Sequence, residues 1–199
     1  HAWLERLHAK YHHPRFICPD PLEKVRAFDR ADDREVAGLV AALLAYCNVK
    51  AILRGIDSAL GRLSPSPAAY LADASDRRIA DDFRGFRYRV TGEEEMTALL
   101  RAVRDLRRDH GSLGRSFERC VDPDDPTLVT AMSTWTGQFA AAADRRLHHL
   151  LPSPARGSAC KRLCLYLRWM VRADAVDPGG WNPALAARLL APVDTHLHG

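Results

Sequence analysis

Apolar residues recur along this chain at three- and four-residue intervals, and the β-branched residues never gather into an alternating run; the pattern predicts helix throughout. A first helix is expected from Ala2 to His12, stopped by His13-Pro14, and a short one from Pro19-Asp20-Pro21 to Phe28. The strongest stripe is Val36, Leu39, Val40, Leu43 and Leu44, opened by the acids of Asp32-Asp33-Arg34-Glu35. It breaks near Cys47-Asn48-Val49, and a second stripe of Ile52, Ile56, Leu60 and Leu63 runs to Ser64-Pro65. Two short helices cover Pro67 to Phe83, and Arg84 to Val90 reads as irregular and basic.

Gly92 followed by Glu93-Glu94-Glu95 caps a further helix to Arg108 that buries Leu99, Leu100, Val103 and Leu106. No element is assigned between there and Asp122-Pro123-Asp124-Asp125-Pro126, the clearest linker. A helix from Thr127 to Ala143 follows, then a tight turn over Leu151–Gly157, a helix from Ser158 to Arg172, and a last short helix from Trp181-Asn182-Pro183 to Ala191-Pro192. The organisation expected is one all-α domain over 1–199, with a lobe boundary near 122–126.

Composition changes this picture little, because 47% apolar and 27% charged residues are ordinary for a globular chain. The five cysteines, an odd number without framework spacing, and the absence of a leader or a long apolar run point to a reducing, cytoplasmic setting, with no membrane partner. The chain opens on His1 rather than Met and reads as processed or trimmed. The net charge of +4 hints only weakly at an anionic partner. More telling, just Lys10, Lys24, Lys50 and Lys161 among the 29 basic residues are lysines, so chemistry that needs an amine has four candidates.

Lys161 stands out among them. With Ser158 as N-cap it falls in the first turn of its helix, where unpaired N–H groups disfavour a cation, and Cys160, Leu163, Leu165 and Trp169 make the surroundings partly apolar. Both conditions favour a neutral, nucleophilic amine; the alternative is a surface lysine reaching water. Downstream, Pro192-Val193-Asp194-Thr195-His196 places Asp194 as a cap after a helix-breaking proline, with its carboxylate rigidly held; capping alone would also explain it.

Taken together, Ser158-Ala159-Cys160-Lys161-Arg162-Leu163, Leu167-Arg168-Trp169-Met170-Val171-Arg172 and Pro192-Val193-Asp194-Thr195-His196 resemble the helix-hairpin-helix DNA glycosylase superfamily, and most closely its bacterial DUF2400 proteins. Asp20-Pro21 and Glu35-Val36-Ala37-Gly38 also resemble that family. The separation from Lys161 to Asp194, 33 residues (194 − 161), is similar to that of archaeal 8-oxoguanine glycosylases of the AGOG type.

The resemblance implies a two-lobed glycosylase fold and excision of a damaged base, 8-oxoguanine above all, from double-stranded DNA, with an associated lyase step. It implies a nucleoid-associated cytoplasmic protein without cofactor. Lys161 would form a Schiff base with the sugar, and Asp194 would stabilise the positive charge that develops there. Asn48 would fill the gap left by the extruded base. Trp135, Trp169 and Trp181 are candidates for stacking on it, each also readable as core. Arg156, Gly157, Ser158, Arg162 and His196 would contact DNA. Three departures stand out. The hairpin has Gly157 with Pro152 and Pro154 where two glycines are usual, the cysteine quartet for an iron–sulfur cluster is missing, and the family continues beyond the point where this chain stops, so part of the site's far wall is expected beyond Gly199.

Two rival classes remain open. Asp194-Thr195-His196-Leu197-His198 also looks like the metal-binding opening of amidohydrolases and metal-dependent DNases, which normally ends the first strand of an α/β barrel. A non-catalytic helical module that binds DNA or protein is the other. His12-His13 and His148-His149 read as surface pairs.

Overall fold

A computed structural model describes residues 2–143, 147 and 149–192. The stripe beginning at Val36 forms α3 (Ala31–Leu43), and ten of its thirteen residues are buried. Apolar and small residues occupy nearly all its faces, so it can be surrounded: α2 (Leu22–Arg26), α4 (Val49–Gly61), α5 (Pro67–Asp73) and α10 (Lys161–Val171) all pack on it. α10 lies antiparallel to α3, with Arg162 donating to the Leu43 carbonyl at one end and the Tyr166 hydroxyl to the Glu35 carbonyl at the other. Between them Gly38 permits the close approach, since a Cβ there would sit 3.2 Å from Met170 Cε and Tyr166 Cε2.

A second layer is organised by α7 (Glu93–His110), capped where the three glutamates fall: the Gly92 N–H donates to Glu95 Oε2 at 2.8 Å. Its apolar face meets α5, α6 (Asp76–Asp82), α8 (Leu113–Glu118) and α9 (Val129–Ala142). The end of the Arg84–Val90 stretch read as irregular instead enters a two-stranded hairpin, β1 (Arg87–Tyr88) with β2 (Thr91–Gly92), whose Tyr88 ring lies against Gly55. These two strands are the only sheet among the described residues, so no α/β barrel is seen there to support the amidohydrolase-like reading. The fold is all-α, as the periodicity predicts.

Helix α8 falls where no element was expected. Ser112 caps it locally, but its Leu113 and Gly114 N–H groups donate to the buried Glu35 carboxylate, at 3.1 and 2.7 Å. Glu35 is therefore no mere helix-opening acid. It also accepts from Arg107 (2.9 Å) and from the Trp181 indole N–H (2.8 Å), tying α3, α7, α8 and the C-terminal segment together. Burial pushes its carboxyl above the ordinary range despite the donors from Gly114, Leu113, Arg107 and Trp181.

The three tryptophans named as stacking candidates are core residues. Trp135 is fully buried against Phe117 and Phe139 with its indole N–H on Ser116 Oγ, Trp169 is 2% exposed, and Trp181 packs on Phe117 and over Gly114. All three are buried in the core, so none presents an open face for a base to stack on in this structure. One contiguous core spans both sides of the 122–126 loop. α1 (Ala2–Tyr11) buries none of its residues. No described helix is long and apolar enough to cross a membrane.

Candidate functional site: a cationic cleft along α10

The start of α10 differs from the expectation. Ser158 Oγ accepts the Cys160 N–H at 3.1 Å in a local turn, and Cys160, at φ +47°, takes a left-handed conformation just before the helix. The helix therefore opens at Lys161 itself, two residues later than a Ser158 cap requires. The connection from α9 to α10 spans residues 143–160, and among its described residues only Pro154–Arg156 forms a 3-10 turn.

From its exposed first position, Lys161 begins a line of side chains on one helix face, continued by Leu165, Arg168 and Arg172. These line a cleft of about 450 Å³ whose opposite wall is the apolar Leu189, Leu190 and Pro192. The two arginines are oriented from behind. The buried Asp177 Oδ2 receives Arg168 Nε at 3.1 Å and lies 3.4 Å from Arg172 Nε. Cys164 also lines the cleft, but burial and the neighbouring Cys160 push its thiol up to about 11, and burial raises Cys160 as well. At neutral pH neither is a thiolate.

Asp194 and His196, with His198 of the rival metal motif, lie outside the described residues. Pro192, on the wall facing Lys161, precedes Asp194 by two positions in sequence.

The other residues expected to meet DNA fare differently. Arg162 is a structural clamp: its guanidinium donates to the Leu43 and His149 carbonyls, both at 2.6 Å, and lies over the Tyr46 ring. Burial lowers its pKa, and two of its N–H groups are spent on backbone, which favours a structural role over the phosphate contact expected of it. Arg156 and Gly157 are exposed, Gly157 at φ +75°. Their N–H groups are engaged within the turn, on Ser153 and Pro154 carbonyls at 3.1 and 2.9 Å, so the hairpin backbone grips an anion less well than expected. Ser158 is half-buried and held by the Cys160 contact.

Asn48 is exposed and starts a helix rather than ending one: its Oδ1 caps α4 through the Ala51 N–H at 2.9 Å. The Arg162–Leu43 contact brings the α3–α4 turn to the same end of the molecule as Lys161. Arg168, Arg172 and Asp177 were not singled out from sequence as site residues; the signal for the two arginines was their seven- and eleven-residue spacing from Lys161, and Asp177 had none.

The geometry defines a helical protein with a lysine-headed cationic cleft. By comparison with known families the chain belongs to DUF2400, proteins of unknown function, whose pattern matches residues 20–199. No curated protein and no solved structure matches it.

Proposed function

We propose that this protein is a DNA glycosylase of the helix-hairpin-helix superfamily with lyase activity, acting on a damaged base in double-stranded DNA. The observation that carries this reading is the placement of Lys161 at the head of a cleft whose far wall leads directly, in sequence, to Asp194. Three cationic side chains line that cleft, which suits a polyanionic substrate, and the wall opposite them is apolar.

In the proposed reaction the Lys161 amine attacks the anomeric carbon of the extruded nucleoside. The bond to the base breaks, the base leaves with the bonding pair and gains a proton, and the sugar ring opens to an iminium on Nζ. Loss of the 2′ proton then expels the 3′ phosphate by β-elimination. Asp194 stabilises the positive charge that builds on the sugar. Arginine cannot replace Lys161, because a guanidinium stays protonated. The choice of 8-oxoguanine as substrate and the likeness to AGOG-type enzymes rest on the motif resemblance alone.

Borohydride trapping tests this. The wild-type chain, incubated with duplexes bearing an abasic site or 8-oxoguanine, should give a covalent adduct that disappears in Lys161→Ala and survives in Lys50→Ala. An adduct that persists in Lys161→Ala overturns the assignment. Duplex binding without any adduct supports the non-catalytic module instead.

A further inference from the structure

We infer that His12, Asp174 and Asp177 form a binding site for a divalent transition cation of the zinc class. One ligand atom from each lies within 4.8 Å of the others, and His12 Nε2 is 2.8 Å from Asp174 Oδ1. Two donors each ~2.1 Å from a zinc ion at right or tetrahedral angles are separated by ~3.0–3.4 Å, so the wider separations of this cluster contract when it closes on an ion. Imidazole with two carboxylates is a donor set that suits a cation of borderline softness.

An independent observation comes from Asp177. Its side chain is wholly buried, and the guanidiniums of Arg168 and Arg172 approach Oδ2 alone. Oδ1 is buried with no hydrogen-bond partner among the described residues, an expensive state for a carboxylate oxygen that a cation would relieve. Asp177 and His12 line the same cavity of about 160 Å³, together with Asp20.

Asp174 Oδ1 is held in place by the Val176 and Asp177 N–H groups, each at 2.9 Å. The site would clasp the N-terminal segment, of which α1 buries no residue, onto the turn after α10. His12 also precedes the family match, which begins at residue 20.

Zinc uptake by the whole chain tests the inference, measured by calorimetry and by metal content after chelation, zinc loading and dialysis. One equivalent is expected, with affinity reduced at least tenfold in His12→Ala and in Asp174→Asn. It should be unchanged in His13→Ala and in the double variant His196→Ala/His198→Ala. Bound zinc should also slow proteolysis between α1 and the body. Absence of uptake, or uptake that survives His12→Ala, for instance through the neighbouring His8, overturns the site. The trapping reaction at Lys161 needs no metal, so the two assignments fail separately.

Discussion

Removing the Glu35 carboxylate is the most informative test of the fold. Four donors converge on it within 3.1 Å: two backbone N–H groups of α8, the Trp181 indole and the Arg107 guanidinium. Glu35→Ala strands all four. Summed separately at ~1–3 kcal/mol each they would exceed what a domain of this kind tolerates. The 270 Å³ cavity beside Glu35, lined also by Asp32 and Arg115, admits water to some of them. A broken buried ion pair is therefore the better guide, and the expected loss is ~3–5 kcal/mol.

Urea denaturation measures it directly, and the midpoint of thermal unfolding should fall by roughly 10 °C. Glu35→Gln keeps the shape and one accepting oxygen, so it should lose about half as much. The pH dependence provides a second readout. Because the folded carboxyl titrates above its ordinary value, the folded state binds more protons than the unfolded one across that window. This contribution to stability is complete below the unfolded value of ~4.3 and is lost as pH rises through the raised one. Glu35→Gln should lack that component. A Glu35→Ala loss below ~1 kcal/mol would refute the view that this carboxylate joins the layers.

Three other outcomes are expected. Gly55→Ala would place its Cβ 2.6 Å from the Tyr88 ring and should cost ~1–3 kcal/mol in urea unfolding while displacing the Arg87–Gly92 hairpin; a neutral effect would show the ring to be loosely held. Thiol labelling should modify the exposed Cys18 and Cys47 in the native protein, the half-buried Cys120 more slowly, and Cys160 and Cys164 only on unfolding, as mass spectrometry of timed samples would show. Asp174 works in the opposite sense to Glu35: its lowered carboxyl adds stability above ~3.9 that is lost as pH falls through the folded value, so Asp174→Asn should flatten the acid limb of the stability curve.

What the amino-acid pattern discloses here is set by distance along the chain. The α3 and α7 stripes are legible because Val36 to Leu44 and Leu99 to Val103 repeat at helical spacing, and the Glu93–Glu95 cap lies next to the helix it stabilises. Helix α8 is too short for a period, and part of its capping comes from Glu35, 79 residues away. Ser158 has the right chemistry for a cap, but the left-handed Cys160 moves the helix start, a backbone choice no local pattern announces.

For the site, Lys161 is conspicuous as a rare lysine at a helix start. The roles of Arg162, clamped on carbonyls, and of Trp135 and Trp181, closed in by other rings, depend on neighbours that composition cannot supply. His12 and Asp174 are separated by 162 positions, so that pairing is invisible before the chain is folded.

The antiparallel seat of α10 on α3 has a consequence for synthesis. The partners of α3 include residues 119, 131 and 146 positions downstream of it. As the chain leaves the ribosome, α3 emerges long before the helix that covers the Gly38 face, and α2, α4 and α5 can gather on its other sides first. An apolar groove shaped for Tyr166 and Met170 then stays open until nearly all of the chain has been made. Such late closure by distant contacts slows folding and leaves a sticky intermediate exposed. Nascent chains stalled before Lys161 should therefore be strong chaperone clients, and those extended past Trp181 should be released.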